Sequence, residues 1–138
     1  MAIIECADYN EYVHDLLIGQ PCVLAYNTAA DYLGLSNGGL REHVEIFVEH
    51  HIDIPTTKQF ITLLKEKNIQ KVRGLWVTTL EQTIIDLLEY DDDNQIIQET
   101  MAAYYFEHDE SFGDLKIPPH LKQLYEKYAD WAIHYYDD

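Results

Sequence analysis

The sequence contains no apolar run that is long enough to cross a membrane. Its longest apolar stretches, such as residues 22–26, fall far short of the roughly 20 residues that a transmembrane helix needs. The first nine residues include Glu5 and Asp8, and they lack the basic start and apolar core of a signal peptide. We therefore expect a cytoplasmic protein that has no contact with a membrane.

Cysteine, proline and glycine are scarce, with two, four and six copies in 138 residues. Cys6 and Cys22 fit neither a zinc-ligand spacing nor a disulfide framework, and two free thiols are typical of a reducing compartment. No internal repeat and no linker rich in proline, glycine or serine divides the chain. We therefore predict a single domain over residues 1–138, with no redox role for its thiols.

Basic residues are also scarce, since 9 Lys and Arg stand against 25 Asp and Glu, and the formal net charge is −16. Protonating all seven histidines would leave the charge negative. Because proteins bind nucleic acids largely by neutralising phosphates with Lys and Arg, this charge disfavours DNA and RNA. The sequence predicts no direct binding to nucleic acid.

The few cations are concentrated in residues 58–73, which we call the basic segment. It contains Lys58, Lys65, Lys67, Lys71 and Arg73 against the single acid Glu66. One interpretation is a solvated, lysine-rich face of a helix. The other is a docking patch for an acidic partner or for a second copy of the chain.

What the sequence has in quantity is apolar and aromatic material, at 47% and 12% of residues, including eleven tyrosines. This is too much for a disordered chain, so we expect a folded core. Apolar periodicity near 3.6 predicts helices, and period-2 alternation predicts strands. The predicted helices cover residues 9–18, 29–35, 56–68, 79–88, 95–105 and 120–135, and the predicted extended segments cover residues 22–26, 43–51 and 72–77.

Local capping signals support several of these helices. Thr56 with Gln59 and Thr78 with Glu81 have the spacing of capping boxes, and Asn27 or Thr28 could cap the helix over residues 29–35. The acidic turn at residues 91–94 suits the N-terminus of the next helix, and it lacks the ligand spacing of an EF-hand. In residues 43–51 we expect one buried face, which carries Val44, Ile46 and Val48.

These elements predict an α+β fold, in which several helices pack on a small sheet of two or three short strands. A doubly wound parallel sheet would need more strands. The apolar stripe of the last helix, which includes Tyr128, Trp131 and Tyr135, is typical of a core-facing helix, with a partner groove as the alternative.

Residues that could carry chemistry are few. No glycine-rich phosphate loop and no nucleophile elbow occurs. His50, His51 and Asp53 are the tightest cluster that could bind a metal, but neighbouring side chains on a strand point to opposite faces. Glu81 and Asp86 are five residues apart, about 140° around a helix, so they do not form an acid–base pair. We therefore predict that the protein is not an enzyme, has no catalytic residue and binds neither a metal nor a cofactor.

Two stretches, residues 28–35 and 76–88, resemble the C-terminal domain of the AbiEi family of type IV antitoxins. The first ends in Gly34-Leu35, and the second contains a strand, a threonine cap, a Glu-x-Thr sequence and a trailing Asp-Leu-Leu. The chain departs from the family at Leu80, where proline is common, and at Gln82, where arginine is common. The likeness spans roughly residues 17–105.

The resemblance implies an antitoxin-like role, in which the domain neutralises or regulates a nucleotidyltransferase-type toxin of a bacterium. Family antitoxins carry an N-terminal winged helix that binds their promoter, and we expect no such DNA-reading unit here. The partner would be a basic protein, and the sequence leaves open whether two copies of the chain associate.

The alternative is a nucleic-acid mimic that blocks a DNA- or RNA-binding protein, with residues 91–93, Glu107, Asp109, Glu110 and residues 137–138 in place of phosphates. For a protein partner, the candidate contacts are the cations of the basic segment and five carboxylates. They are Lys58, Lys65, Lys67, Lys71, Arg73, Glu81, Asp86, Asp91, Asp92 and Asp93.

Overall fold

The computed structural model describes residues 6–35, 43–113 and 115–134. Five α-helices and five strands are present in this part of the chain. The helices are α1 (Cys6–Leu17), α2 (Tyr26–Tyr32), α3 (Leu80–Tyr90), α4 (Asn94–Glu107) and α5 (Lys122–Ile133). The strands are β1 (Val23–Leu24), β2 (Val44–Val48), β3 (Thr57–Ile61), β4 (Ile69–Val72) and β5 (Leu75–Thr78), and short 3-10 turns lie at Leu64–Glu66 and Pro119–Leu121.

The five strands form one mixed sheet in the order β3-β2-β1-β5-β4. The central strand β1 pairs antiparallel with β2 and parallel with β5. On the outside, β3 runs parallel to β2, and β4 runs antiparallel to β5. The α+β class is therefore confirmed, whereas the expected two or three strands understate the size of the sheet.

The predicted helix over residues 56–68 is wrong, because residues 57–61 form strand β3. Its backbone pairs with β2 over five residues, from Val44 opposite Thr57 to Val48 opposite Ile61. The side chain of Gln59 contacts the preceding loop, where it accepts from the Ile52 N–H at 3.0 Å and donates to the Ile52 carbonyl at 2.8 Å. Pairing with a distant strand overrides the local helical pattern here.

The predicted strand over residues 72–77 is a hairpin. Strands β4 and β5 are joined by Arg73 and Gly74, whose φ angles are 47° and 84°. Positive φ at both central residues is the signature of a type I′ turn, which matches the twist of the paired strands. Arginine is an uncommon residue in this left-handed conformation.

The sheet is covered on both faces. On one face, Val13 and Leu17 of α1 pack on Leu24, Ile46 and Val77. On the other face, a smaller cluster contains Val23 and Phe47 with Tyr26, Phe60 and Leu64. All five residues of β2 are buried, so the expectation that just one face of this strand is buried is wrong.

The helices α2 to α5 form a layer with its own core, which we call the helical layer. Its largest buried side chains include Ile84, Leu88, Met101, Tyr104 and Tyr128. In the predicted stripe of α5, Tyr128 and Ala132 are buried and Leu124 and Tyr125 are partly buried, so much of it faces the core, whereas Trp131 is exposed. Tyr135 lies outside the described residues.

Some predicted helix caps are confirmed and others are wrong. Asp93 caps α4, because its carboxylate accepts from the N–H groups of Gln95 and Ile96. In α3 the cap is Thr79, which accepts from Gln82, rather than Thr78 paired with Glu81. The helix α2 starts earlier than expected.

Asn27 and Thr28 do not cap α2, since both lie within the helix and are buried. They bind strand β2 instead: the Asn27 N–H donates to the Glu45 carboxylate, and Thr28 Oγ1 accepts from the Glu45 N–H, both at 2.9 Å. The buried Glu45 thus fixes the start of α2 against the sheet.

Candidate interaction site

The cations of the basic segment do not form one patch. Strands β3 and β4 are the opposite edges of the sheet, so Lys58 and Lys71 lie on opposite sides of the molecule. Lys65 lies in the 3-10 turn between them, and Arg73 lies in the hairpin turn. The interpretation as a lysine-rich helix face is wrong, because these residues form strands and turns.

Four of the five cations lie over aromatic rings, at distances typical of cation–π contacts. The distances from the charged group to the ring centroid are 5.2 Å for Lys58 and Tyr90, 4.7 Å for Lys67 and Phe47, 5.7 Å for Lys71 and Trp76, and 4.4 Å for Arg73 and Tyr32. The Arg73 guanidinium also donates to the Tyr32 carbonyl. These four cations therefore lie against rings at separate places on the molecule.

The segment of residues 62–68, which we call the crossover segment, joins the two edges of the sheet. It passes over the face that carries Phe47, because Leu64 packs in that cluster and Lys67 lies over the Phe47 ring. Helix α3 holds its C-terminal end: the Asn68 N–H donates to Gln82 Oε1 at 3.1 Å, and Lys67 Nζ donates to Asp86 Oδ1 at 2.7 Å. The crossover segment thereby closes this face of the sheet.

Asp86 is the most deeply buried of the predicted contact residues, with 1% of its side chain exposed. Its Oδ1 also accepts from Gln82 Nε2 at 3.0 Å, whereas Oδ2 has no hydrogen-bond partner among the described residues. Burial raises the pKa of Asp86 more than the hydrogen bonds from Lys67 and Gln82 lower it. Glu81 is exposed, so the two carboxylates of α3 do not converge.

This raised pKa has a defined effect on the pH dependence of stability. A carboxyl whose folded-state pKa lies above its unfolded value stabilises the fold at low pH, and this stability is lost as pH rises through the folded-state pKa. We expect the free energy of unfolding of the wild type, relative to Asp86→Asn, to fall as pH rises from about 4. Urea unfolding across this range measures the difference, and a constant or rising difference would contradict the shift.

The acidic turn between α3 and α4 has structural contacts of its own. Asp91 has a φ of 47°, and its carboxylate accepts from the Tyr128 hydroxyl at 2.9 Å. The pKa of Tyr128 is raised to about 12, mainly by burial and then by this hydrogen bond and the negative charges of Asp91 and Asp93. Asp91 and Asp92 are exposed, while Asp93 is partly buried at the cap of α4.

A cleft lies where β1 and β5 begin, beside the hairpin. Its volume is about 170 Å³, and its lining includes Leu17, Cys22, Leu75, Lys71 and Trp76. Trp76 is 45% exposed at this cleft, and Ile18, at the end of α1, is 47% exposed. Sequence reasoning did not select Trp76, although an apolar residue that alternates with the buried Leu75 and Val77 is a detectable signal.

Cys22 in this cleft is expected to react slowly with thiol reagents. Burial raises its pKa to about 11, from an ordinary 9.0. At neutral pH its thiolate fraction should be about a hundredfold below that of an unshifted thiol, because two pKa units separate them. Stopped-flow reaction of a Cys6→Ser variant with a disulfide reagent would measure this, and a rate like that of free cysteine at pH 7 would contradict it.

A second concavity of about 270 Å³ lies on the other side of the hairpin. It is lined by Asn10, Glu11, His14, Tyr32 and Arg73. The hairpin turn is packed closely against α1 here, since a Cβ on Gly74 would lie 3.2 Å from His14 Nε2. The hairpin is therefore flanked by a concave surface on each side.

Other predicted features can be located as well. His50, His51 and Asp53 are exposed beyond the end of β2. In residues 6–35, 43–113 and 115–134, no group of three or more His, Cys, Asp or Glu side chains could hold a metal ion. None of the described helices is both long enough and apolar enough to span a membrane.

Comparison of the chain with family models, with curated proteins and with solved structures finds no match. The resemblance to the AbiEi family therefore stays a prediction that rests on residues 28–35 and 76–88.

Proposed function

We propose that this chain is an antitoxin-like or regulatory interaction domain, which neutralises or regulates a basic protein partner by contact. The observation that carries the proposal is the concentration of exposed carboxylates on the helical layer and its loops. They are Glu81, Glu89, Asp91, Asp92, Glu107, Asp109, Glu110, Glu126 and Asp130. A partner of the nucleotidyltransferase-toxin type follows from the resemblance.

The helical layer also exposes aromatic rings of the kind that dominate binding energies. Phe106 on α4 and Trp131 on α5 are each 41% exposed. Lys127 lies over the Trp131 ring at 4.9 Å, and Tyr128 packs against the same ring edge-to-face. Exposed aromatic side chains supply most of the affinity in many interfaces, while complementary charge accelerates encounter and selects the partner.

The test is co-expression with the product of the neighbouring gene, with growth and co-purification as readouts. We expect the wild type to rescue growth and to co-purify with that protein. Glu81→Lys and Trp131→Ala should each weaken both effects, because they alter the exposed helical layer. Glu66→Lys is the matched control, since it makes the same charge change in the crossover segment. Absence of rescue and of co-purification by the wild type would refute the proposal.

The second candidate is a nucleic-acid mimic, which is favoured by the exposed carboxylates Glu107, Asp109 and Glu110 at the end of α4. Asp109 and Glu110 both have positive φ, at 55° and 57°, in a tight turn. Residues 137–138 of this hypothesis lie outside the described residues. Titration against a basic nuclease in rising salt separates the candidates: mimicry weakens steeply with salt, and an interface centred on Trp131 does not.

A further inference from the structure

The hairpin between β4 and β5 carries features that the acidic helical layer does not explain. The hairpin carries Lys71, Arg73 and the exposed Trp76, and the exposed Ile18, which directly follows α1, lies beside the hairpin turn. Together with the 170 Å³ cleft beside Trp76, these four residues form what we call the hairpin surface. Trp and Arg are the residue types most enriched among interface hot spots.

Both cations of the hairpin surface are held by rings rather than by carboxylates. Lys71 lies over Trp76, and Arg73 lies over Tyr32. Neither forms an ion pair with a carboxylate of the described residues, although the chain has 25 Asp and Glu. By contrast, Lys67 is paired with Asp86. Because Lys71 and Arg73 have no carboxylate partner within the described residues, they can form ion pairs with carboxylates of another protein.

Strand β4 adds a second recognition element, because it is an edge of the sheet formed by the described residues. Its outer backbone groups can pair with an added strand, which is a recurring mode of peptide binding. Lys71 lies on the same side of the sheet as its cross-strand partner Trp76. On the other side, half-buried Val72 offers apolar contact.

A second copy of the chain fits this edge poorly. The other edge of the sheet, β3, carries Lys58, and β4 itself carries Lys71. Pairing two of these edges in a register that sets their lysines opposite each other would juxtapose two ammonium groups, which is destabilising. The charge of the edge instead complements an acidic strand.

We propose that the hairpin surface binds an extended acidic segment of a second protein, which adds to the sheet at β4. Its carboxylates face Lys71 on the side of Trp76, and its alternate apolar side chains pack beside Val72 on the other side, where Arg73 lies over Tyr32. This inference is independent of the proposed contact with a basic partner, since it uses the opposite charge and another part of the molecule.

The probe is a capped heptapeptide that alternates glutamate with leucine and phenylalanine, and its counterpart has lysine in place of glutamate. Trp76 becomes the sole tryptophan in a Trp131→Phe background, so its fluorescence reports on the hairpin surface. We expect the acidic peptide to change Trp76 emission saturably. The lysine peptide, which the net charge of −16 attracts, should leave that emission unchanged.

Variants of equal charge separate local recognition from bulk attraction. Lys71→Glu should weaken the acidic peptide about tenfold or more, and Lys65→Glu should weaken it less than about twofold. Failure of the acidic peptide to bind, or equal weakening by both variants, would overturn the proposal. So would a dimer of the chain, detected by sedimentation, that Lys71→Glu dissociates, because the surface would then bind a second copy.

Discussion

Replacing Phe47 with alanine is expected to lower the free energy of unfolding by about 4 kcal/mol, which is typical of a fully buried phenylalanine. Phe47 is 2% exposed, and its ring contacts Tyr26 and Phe60 and lies under Lys67. If the sheet had one face open to solvent, as the alternation over residues 43–51 predicts, Phe47 would be exposed and the loss would be small. Urea unfolding measures the difference.

Phe106→Ala is the matched control for this prediction, because Phe106 is 41% exposed on α4. Its loss should change the free energy of unfolding by less than about 1 kcal/mol. A Phe47→Ala variant that is as stable as Phe106→Ala would show that the crossover segment does not cover this face of the sheet.

Replacing Asp86 with alanine is expected to destabilise the fold by about 3 kcal/mol at neutral pH, because it leaves Lys67 without its counter-charge in a largely buried position. The side chain of Lys67 is 18% exposed, and its Nζ donates to Asp86 Oδ1 at 2.7 Å. Gln82 Nε2 loses an acceptor in the same change. Chemical unfolding of the variant measures this cost.

A double-mutant cycle identifies the cause of this loss. Lys67→Met alone leaves a buried carboxylate unpaired, so it should also lower the free energy of unfolding. The double variant Lys67→Met with Asp86→Leu should unfold with a free energy within about 1 kcal/mol of the wild type, because apolar side chains often replace a buried ion pair without loss. If the two single losses simply add in the double variant, Lys67 and Asp86 do not act as a pair.

The elements that sequence reasoning located best are those with local signals. Helix α4 begins where the acidic turn predicted, because Asp93 can satisfy the N–H groups of Gln95 and Ile96 without help from distant residues. Helix α3 likewise follows from a threonine cap and an apolar stripe, although the cap is Thr79. These contacts span four residues or fewer.

The elements that could not be predicted from the sequence depend on partners that are distant along the chain. Residues 57–61 become a strand because β2 pairs with them, and no local pattern shows that pairing. The burial of Glu45 and Phe47 on the second face of β2 follows from α2 and from the crossover segment. The Lys67–Asp86 pair links residues 19 positions apart.

One missed feature had a readable signal. A basic residue followed by glycine, Arg73-Gly74, lies between two β-prone runs, and a two-residue turn containing glycine is a known sign of a hairpin. Because that hairpin was read as a single strand, Lys71 and Trp76 were not recognised as neighbours across two strands. In the structure, the cations of the basic segment lie on separate strands and turns, and four of them lie over aromatic rings.

The central claim is that this chain works by contact with a basic protein through its acidic helical layer. The most direct test is calorimetric titration of the chain with the protein encoded by its neighbouring gene, at low and at high salt. The claim predicts a saturable complex that Glu81→Lys weakens about tenfold and that Glu66→Lys leaves nearly unchanged. An absence of binding at low salt, or equal effects of the two substitutions, would contradict it.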